Sequence, residues 1–191
     1  MKLLVVLMTL LLFSCEKKYE FYGHYFDQPA YNFRLTDHTG RKVELSQYTA
    51  QGKIVLLFFG YTNCPDVCPA ALDTMAKVMK SLKEEASRVQ VLFVSVDPER
   101  DTLEVLRGYV PYFHPTFVGL TGSKEEIKKT AQEYKAYYRK VEGGSAAGYL
   151  VDHTATIYLI TPDNRIKVLY TQSKQDPEKI AEDIRFLLKR S

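Results

Sequence analysis

The sequence predicts an α/β protein: a mixed central sheet flanked by helices, with a β-hairpin near its start. Three observations carry this. Ile54 to Phe59 and Val89 to Val96 are continuous apolar runs, as strands buried on both faces require. Each is followed by a segment with helical features. The last part of the chain alternates strand-like runs with turn signals and closes on an amphipathic segment.

The chain has 191 residues, 46% hydrophobic and 26% charged, which suits one globular domain with a real core. The net charge of +3 is too small to argue for nucleic acid or an anionic surface as partner. Aromatic and basic residues are not interleaved as in single-strand binders.

At the start, Met1-Lys2 precedes an apolar run from Leu3 to Phe13. The run is too short to span a bilayer as a helix and has the length of a signal-peptide core. It ends in Leu12-Phe13-Ser14-Cys15, which resembles the lipobox of bacterial lipoproteins, where cleavage precedes a cysteine that becomes diacylated. The expected division is a signal peptide at 1–14, a lipid-anchored tether at 15–29 and a folded domain at 30–191. Removing residues 1–14 takes away one lysine and no acid. The domain would then stand on the outer, periplasmic face of the cytoplasmic membrane, where disulfides persist. The other reading is an ordinary signal peptide with an odd cysteine. His24, within the tether, is expected to be solvated.

Tyr31 to Leu35 and Val43 to Leu45 alternate as strands, and Asp37-His38-Thr39-Gly40 turns between them, with Gly40 supplying a positive φ. His38 is expected to be exposed and idle. The central strand 54–59 follows, then a loop and a helix from about Pro69 to Ala86, with Ala71, Leu72, Met75, Val78, Met79 and Leu82 on its apolar face. Met75 and Met79 read as core on this face. The strand 89–96 leads through Asp97-Pro98-Glu99-Arg100-Asp101 into a helix from about Thr102, ended by Pro111. Asp97, Arg100 and Asp101 either brace the loop near the cysteines or cap the helix. His114 reads as a loop residue. A short strand spans 116–120, and Ser123 with Glu126 forms a capping-box signature for the next helix. Strands are expected at 137–141, 155–160 and 165–170, with a flexible glycine-rich tip at 143–148, and Asp176-Pro177 opens the last helix.

The chemistry concentrates in Gly60-Tyr61-Thr62-Asn63-Cys64-Pro65-Asp66-Val67-Cys68-Pro69. Two cysteines sit where a central strand turns into a helix. If Pro69 takes the first helical position, Cys68 lies at the cap, where unpaired backbone N–H groups and the helix dipole favour a thiolate. Two such thiols can bind a soft metal, close a disulfide, or do both in turn. As a purely structural staple the pair would enclose three residues and remove little chain entropy.

A strand, a two-cysteine loop opening a helix, further βα units and a closing ββα segment are a thioredoxin-like layout. The Cys-x-x-x-Cys spacing and His153 in Val151-Asp152-His153-Thr154 set it apart from ordinary thioredoxins. Together with Ser95-Val96-Asp97-Pro98-Glu99-Arg100-Asp101 and Gly119-Leu120-Thr121-Gly122, these segments strongly resemble the Sco/SenC family over nearly all of residues 30–190. That resemblance implies a thioredoxin-like fold and a membrane-anchored copper-binding factor that helps to build the dinuclear copper centre of cytochrome c oxidase. It implies Cys64, Cys68 and His153 as ligands of copper(I) or copper(II). The oxidase subunit that carries the copper centre would be the partner, beside other copper carriers or thiol reductants.

Two thiolates and an imidazole suit copper(I). Asp152, next to His153, is expected to fix the imidazole from behind. A structural zinc site would want four protein ligands. Three other readings stay open. Cys64 and Cys68 can act as a redox pair that reduces a partner's cysteines, an enzyme-like role. Peroxide reduction would use Thr62, two residues before Cys64, and needs an arginine that the sequence does not place. His153 alone, at a strand start, can be structural.

Overall fold

The structure, a computed structural model, describes residues 19–145 and 148–190. At its centre β4 (Ile54–Gly60) runs parallel to β5 (Val89–Ser95), paired from Ile54 with Val89 to Gly60 with Ser95. Every residue of both strands is buried, which is why their sequences are apolar without alternation. β6 (Val118–Thr121) continues the sheet parallel to β5. The expected hairpin, β2 (Arg34–Asp37) with β3 (Lys42–Glu44), adds to β6 antiparallel and makes one edge. A short helix the sequence did not signal, α1 (Leu45–Thr49), follows directly.

On the other side of β4 lie β9 (Ile157–Thr161) and β10 (Arg165–Tyr170), both in antiparallel pairing. The helices are α2 (Val67–Leu82), α3 (Leu103–Phe113), α4 (Lys124–Glu133) and α5 (Pro177–Leu188), with α2 packed against α5. Ser123 and Glu126 close both halves of the predicted capping box on α4. Met75 and Met79 lie in the core on the buried face of α2, as their spacing predicts.

Five expectations are corrected. Residues 24–29, read as tether, form strand β1 (His24–Pro29), the opposite sheet edge, antiparallel to β10. Asp27 fastens it by ion pairs to Arg165 at 2.6 Å and Lys167 at 2.7 Å. Just before it, buried Asp183 accepts hydrogen bonds from the hydroxyls of Tyr19 (2.8 Å) and Tyr170 (2.9 Å) and from the Tyr22 amide. Second, α2 begins two residues early, with Asp66 at its cap, so Pro69 is its third residue. Proline is tolerated there because the first turn's N–H groups lack helical partners anyway. At the other end Lys83, with a left-handed φ of 54°, stops the helix, and a 3-10 segment continues to Arg88. Third, Pro111 lies within the last turn of α3 and forfeits one bond near its end.

Fourth, His38 is half-buried: its Nδ1 accepts from the Gly119 amide at 3.0 Å and its own amide donates to the Gly119 carbonyl. Burial lowers its pKa, consistent with a neutral ring accepting at Nδ1. Fifth, β7 (Tyr138–Ser145) and β8 (Gly148–His153) form a separate two-stranded sheet, so His153 ends a strand and does not open one. Within the expected tip, Gly143 to Ser145 extend β7 and Gly148 begins β8, while Ala146 and Ala147 lie outside the described residues.

Candidate metal centre

The site forms where the end of β4 meets the end of β8. Gly60 closes β4 against the first turn of α2. A Cβ at Gly60 would stand 2.7 Å from Cys68 Sγ and 2.9 Å from the rings of Phe58 and Phe93, so only glycine fits. The following turn is braced from α3's side. Buried Asp101 accepts from the Thr62 amide (3.1 Å) and hydroxyl (2.6 Å) and from Ser95 Oγ (2.6 Å). Asp101 therefore braces the loop, while Thr102 caps α3 by accepting from the Val105 amide. Because the Thr62 hydroxyl donates to Asp101, it is not turned to the Cys64 sulfur as a peroxide-reducing site would need.

Cys64, Cys68 and His153 converge, with donor atoms all within 4.8 Å of one another. His153 Nε2 stands 3.2 Å from Cys68 Sγ and 3.8 Å from Cys64 Sγ. Among the described residues no other group of three or more His, Cys, Asp or Glu side chains is gathered this way. Both cysteines are free thiols, Cys68 wholly buried and Cys64 nearly so. His153 is half-buried, with the rings of Tyr61 and Phe58 edge-on to it at 5.7 and 6.0 Å.

Asp152 does not stand behind the imidazole. Neighbouring strand residues point to opposite faces, and the Asp152 carboxylate pairs with Arg139 at 3.2 Å on the exposed side of the hairpin. The group behind His153 is the Thr154 carbonyl, 3.3 Å from Nδ1. A carbonyl only accepts, so Nδ1 carries a proton; Nε2 faces the sulfurs, donating to a thiolate when the ring is charged and offering its lone pair to a metal when the ring is neutral.

The expectation for Cys68 is reversed. Burial raises its pKa, because this second residue of α2 is cut off from solvent. Cys64 is the acidic thiol, lowered to about 4 by a hydrogen bond from Cys68 and another from His153. The donor set suits a soft metal. Bonds of about 2.3 Å to sulfur and 2.0 Å to nitrogen put nitrogen and sulfur of a trigonal ion roughly 3.7 Å apart; here Nε2 stands 3.8 Å from Cys64 Sγ and 3.2 Å from Cys68 Sγ, so a small opening on the Cys68 side would admit an ion. A trigonal site also leaves an approach for a further ligand.

Other predicted residues stay outside this cluster. His114 bonds to Thr116 in its loop at 2.9 Å, and His24 is exposed on β1. Cys15 lies outside the described residues. Sequence reading missed the clamp around Tyr149. Its hydroxyl donates to Asp97 at 2.7 Å, and the Arg100 guanidinium lies 3.6 Å over its ring.

Fold and site together define a thioredoxin-like protein whose two thiols and imidazole are gathered as a candidate soft-metal centre. The SCO1/SenC family model matches residues 26–189, and the chain belongs to that family. It is 41% identical over 156 residues to a mitochondrial SCO2 homolog of Danio rerio, covering 81% of this chain and 55% of that protein. The chain thus spans about half the length of the curated relatives it matches. Among solved structures, Arabidopsis thaliana ScoI, described with copper bound, aligns at 35% identity and a TM-score of 0.77 over 86% of this chain and 100% of that one. Apo Sco1 from Thermus thermophilus aligns at 40% and 0.78 over 90% and 99%.

Proposed function

We propose that this protein is a copper metallochaperone for the dinuclear copper centre of cytochrome c oxidase, with Cys64, Cys68 and His153 as ligands. The observation that carries the reading is the convergence of two sulfurs and Nε2 within 4.8 Å. Two thiolates hold copper(I), and His153 completes the site and matters most for copper(II), which can add an oxygen or nitrogen donor. Delivery is a ligand exchange with no net redox change: an incoming ligand of the oxidase subunit enters at the open side and the chaperone's ligands leave one by one. Other copper carriers or thiol reductants would load or reset the site. A diacylated Cys15 would hold the protein on the outer face of the cytoplasmic membrane, and a mature mass without a diacylglycerol adduct removes that part.

A second reading rests on the opposed acidities of the two thiols. Acidic Cys64 is poised to attack a partner disulfide, and Cys68 to resolve the mixed disulfide. The partner's disulfide gains two electrons, one proton from the Cys68 thiol and a second from water, while Cys64 and Cys68 become a disulfide. One experiment separates the readings. The reduced protein, with and without copper(I), is mixed with the oxidised or reduced apo copper-centre domain of an oxidase. Metal transfer supports the chaperone; electron transfer without metal supports the reductase. In the same series, His153→Ala should cut copper(II) affinity about 10–100-fold or more, as loss of a ligand exceeds loss of its support, with copper(I) reduced less. Unchanged copper(II) affinity refutes the ligand role.

A further inference from the structure

The two halves of the centre share no main-chain ladder. The cysteines follow β4 of the large sheet, whereas His153 ends a two-stranded sheet of its own. Only residues 154–156 join His153 to β9, whose Ile157 pairs with Phe58 of β4, so the main chain brings the two halves near and side chains fix how β8 is oriented over the sulfurs. Tyr61 touches both halves. Its carbonyl accepts from the Cys64 amide at 3.3 Å, and its buried hydroxyl accepts from the Val151 amide at 3.1 Å. Val151 lies two residues before His153, on the same face of β8. The Tyr61 ring also meets the imidazole edge-on, at 5.7 Å between centroids.

Arg100 makes the second hold. Its Nη1 donates to the Tyr149 carbonyl at 2.9 Å, and its guanidinium stacks 3.6 Å from the Tyr149 ring and 5.7 Å from the Tyr61 ring. Tyr61 and Arg100 thus grip β8 at alternate residues, 149 and 151, and the next residue in that series is 153.

We infer that Tyr61 is a positioning residue for His153: its hydroxyl, with Arg100 as the second pin, fixes the β8 strand so that Nε2 faces the two sulfurs before any ion arrives. Copper enters this inference only through the function proposed above; the pinning is a property of the empty protein. Without the hydroxyl, the buried Val151 N–H has lost its acceptor, and β8 must shift or admit water to satisfy it.

The test uses the full-length reduced protein in detergent, as wild type, Tyr61→Phe, Arg100→Gln and His153→Ala. In the apo state, exchange of the Val151 amide should quicken about tenfold in Tyr61→Phe, the weight of one buried hydrogen bond. With copper(II) ions, affinity should fall about tenfold in Tyr61→Phe and in Arg100→Gln, the lower end of what loss of a ligand's support costs. The imidazole nitrogen coupling in the paramagnetic resonance spectrum should weaken or split into two forms. Copper(I) affinity should fall less than copper(II) affinity in both. Wild-type exchange, affinity and spectrum in Tyr61→Phe and Arg100→Gln, beside a defective His153→Ala, overturn the positioning role and leave the copper reading intact. Wild-type copper(II) affinity in His153→Ala overturns the copper reading, and accelerated Val151 exchange in Tyr61→Phe would then still support the pin itself.

Discussion

Gly60→Ala tests the packing of the site most directly. The added Cβ would lie 2.7 Å from Cys68 Sγ and 2.9 Å from ring atoms of Phe58 and Phe93. Ordinary contact needs about 3.5–4.0 Å, so at least one neighbour must give by roughly 1 Å. The two phenylalanines are fully buried between β4 and its neighbours and have nowhere to go. Cys68 is held by α2 and is equally buried. Overpacking of this kind costs about 1–3 kcal/mol. For a domain of this size each kcal/mol lowers the melting temperature by about 2–4 °C, so the reduced apo protein should melt several degrees lower. Where Cys68 is the neighbour that gives, a push of roughly 1 Å is about a third of its 3.2 Å separation from His153 Nε2, so copper(I) and copper(II) should both bind more weakly. Thermal melting and a competition titration on one preparation measure both effects. A Gly60→Ala protein that melts within a degree of wild type and binds copper equally well refutes the claim that glycine is there to make room for the sulfur.

Asp183→Ala strips the acceptor from the Tyr19 and Tyr170 hydroxyls and the Tyr22 amide; it should cost about 2–4 kcal/mol in urea unfolding, as buried donors left unpaired do, and should expose residues 19–22 to chymotrypsin, whereas unchanged cleavage would mean that this segment is not held by Asp183. In the reduced apo protein, iodoacetamide should modify Cys64 with a midpoint near pH 4 and leave Cys68 largely unreacted, because Cys68's thiol and His153 stabilise the Cys64 thiolate while burial keeps Cys68 protonated; equal rates at both would contradict this. The linked stability has a definite sign. Relative to an unfolded thiol of about 8.5, Cys64 contributes stability that is complete above that value and lost as pH falls toward 4, while the raised Cys68 contributes stability that is complete below it and lost as pH rises beyond.

Features set by local chemistry were legible in the sequence. The apolar runs gave away β4 and β5, the helical spacing gave the buried face of α2, and Ser123 with Glu126 marked the start of α4. The three site side chains were legible from the cysteine spacing and the family resemblance. What was not legible depends on distant partners. β1 looks like a polar tether because its ordering comes from Asp27 reaching Arg165 and from Asp183 reaching Tyr19. The role given to Asp152 failed for a simpler reason. Had 148–153 been recognised as a strand, alternation alone would have turned Asp152 away from the imidazole. Likewise, a helix start two residues earlier moves Cys68 from a polar cap into a buried first turn, and the acidic thiol becomes Cys64.

This difference between the cysteines orders the proposed transfer. Cys68 is closed in by α2 and the Gly60 backbone and stands nearest the imidazole, at 3.2 Å. Cys64 lies in the turn before the helix, beside exposed Asn63 and Pro65, and retains a little solvent contact. In the proposed transfer an incoming thiolate would meet the ion from the side of Cys64, and Cys64, the weaker base of the two, would be the first ligand to let go. Closing the disulfide obeys the same geometry. When a partner disulfide oxidises the pair, Cys64 moves toward the buried Cys68 sulfur, and once they are bonded neither sulfur is a thiolate donor and only His153 is left. Under the proposed function, the more accessible Cys64 beside buried Cys68 would let the same three residues hold an ion, release it stepwise, and lose it when oxidised.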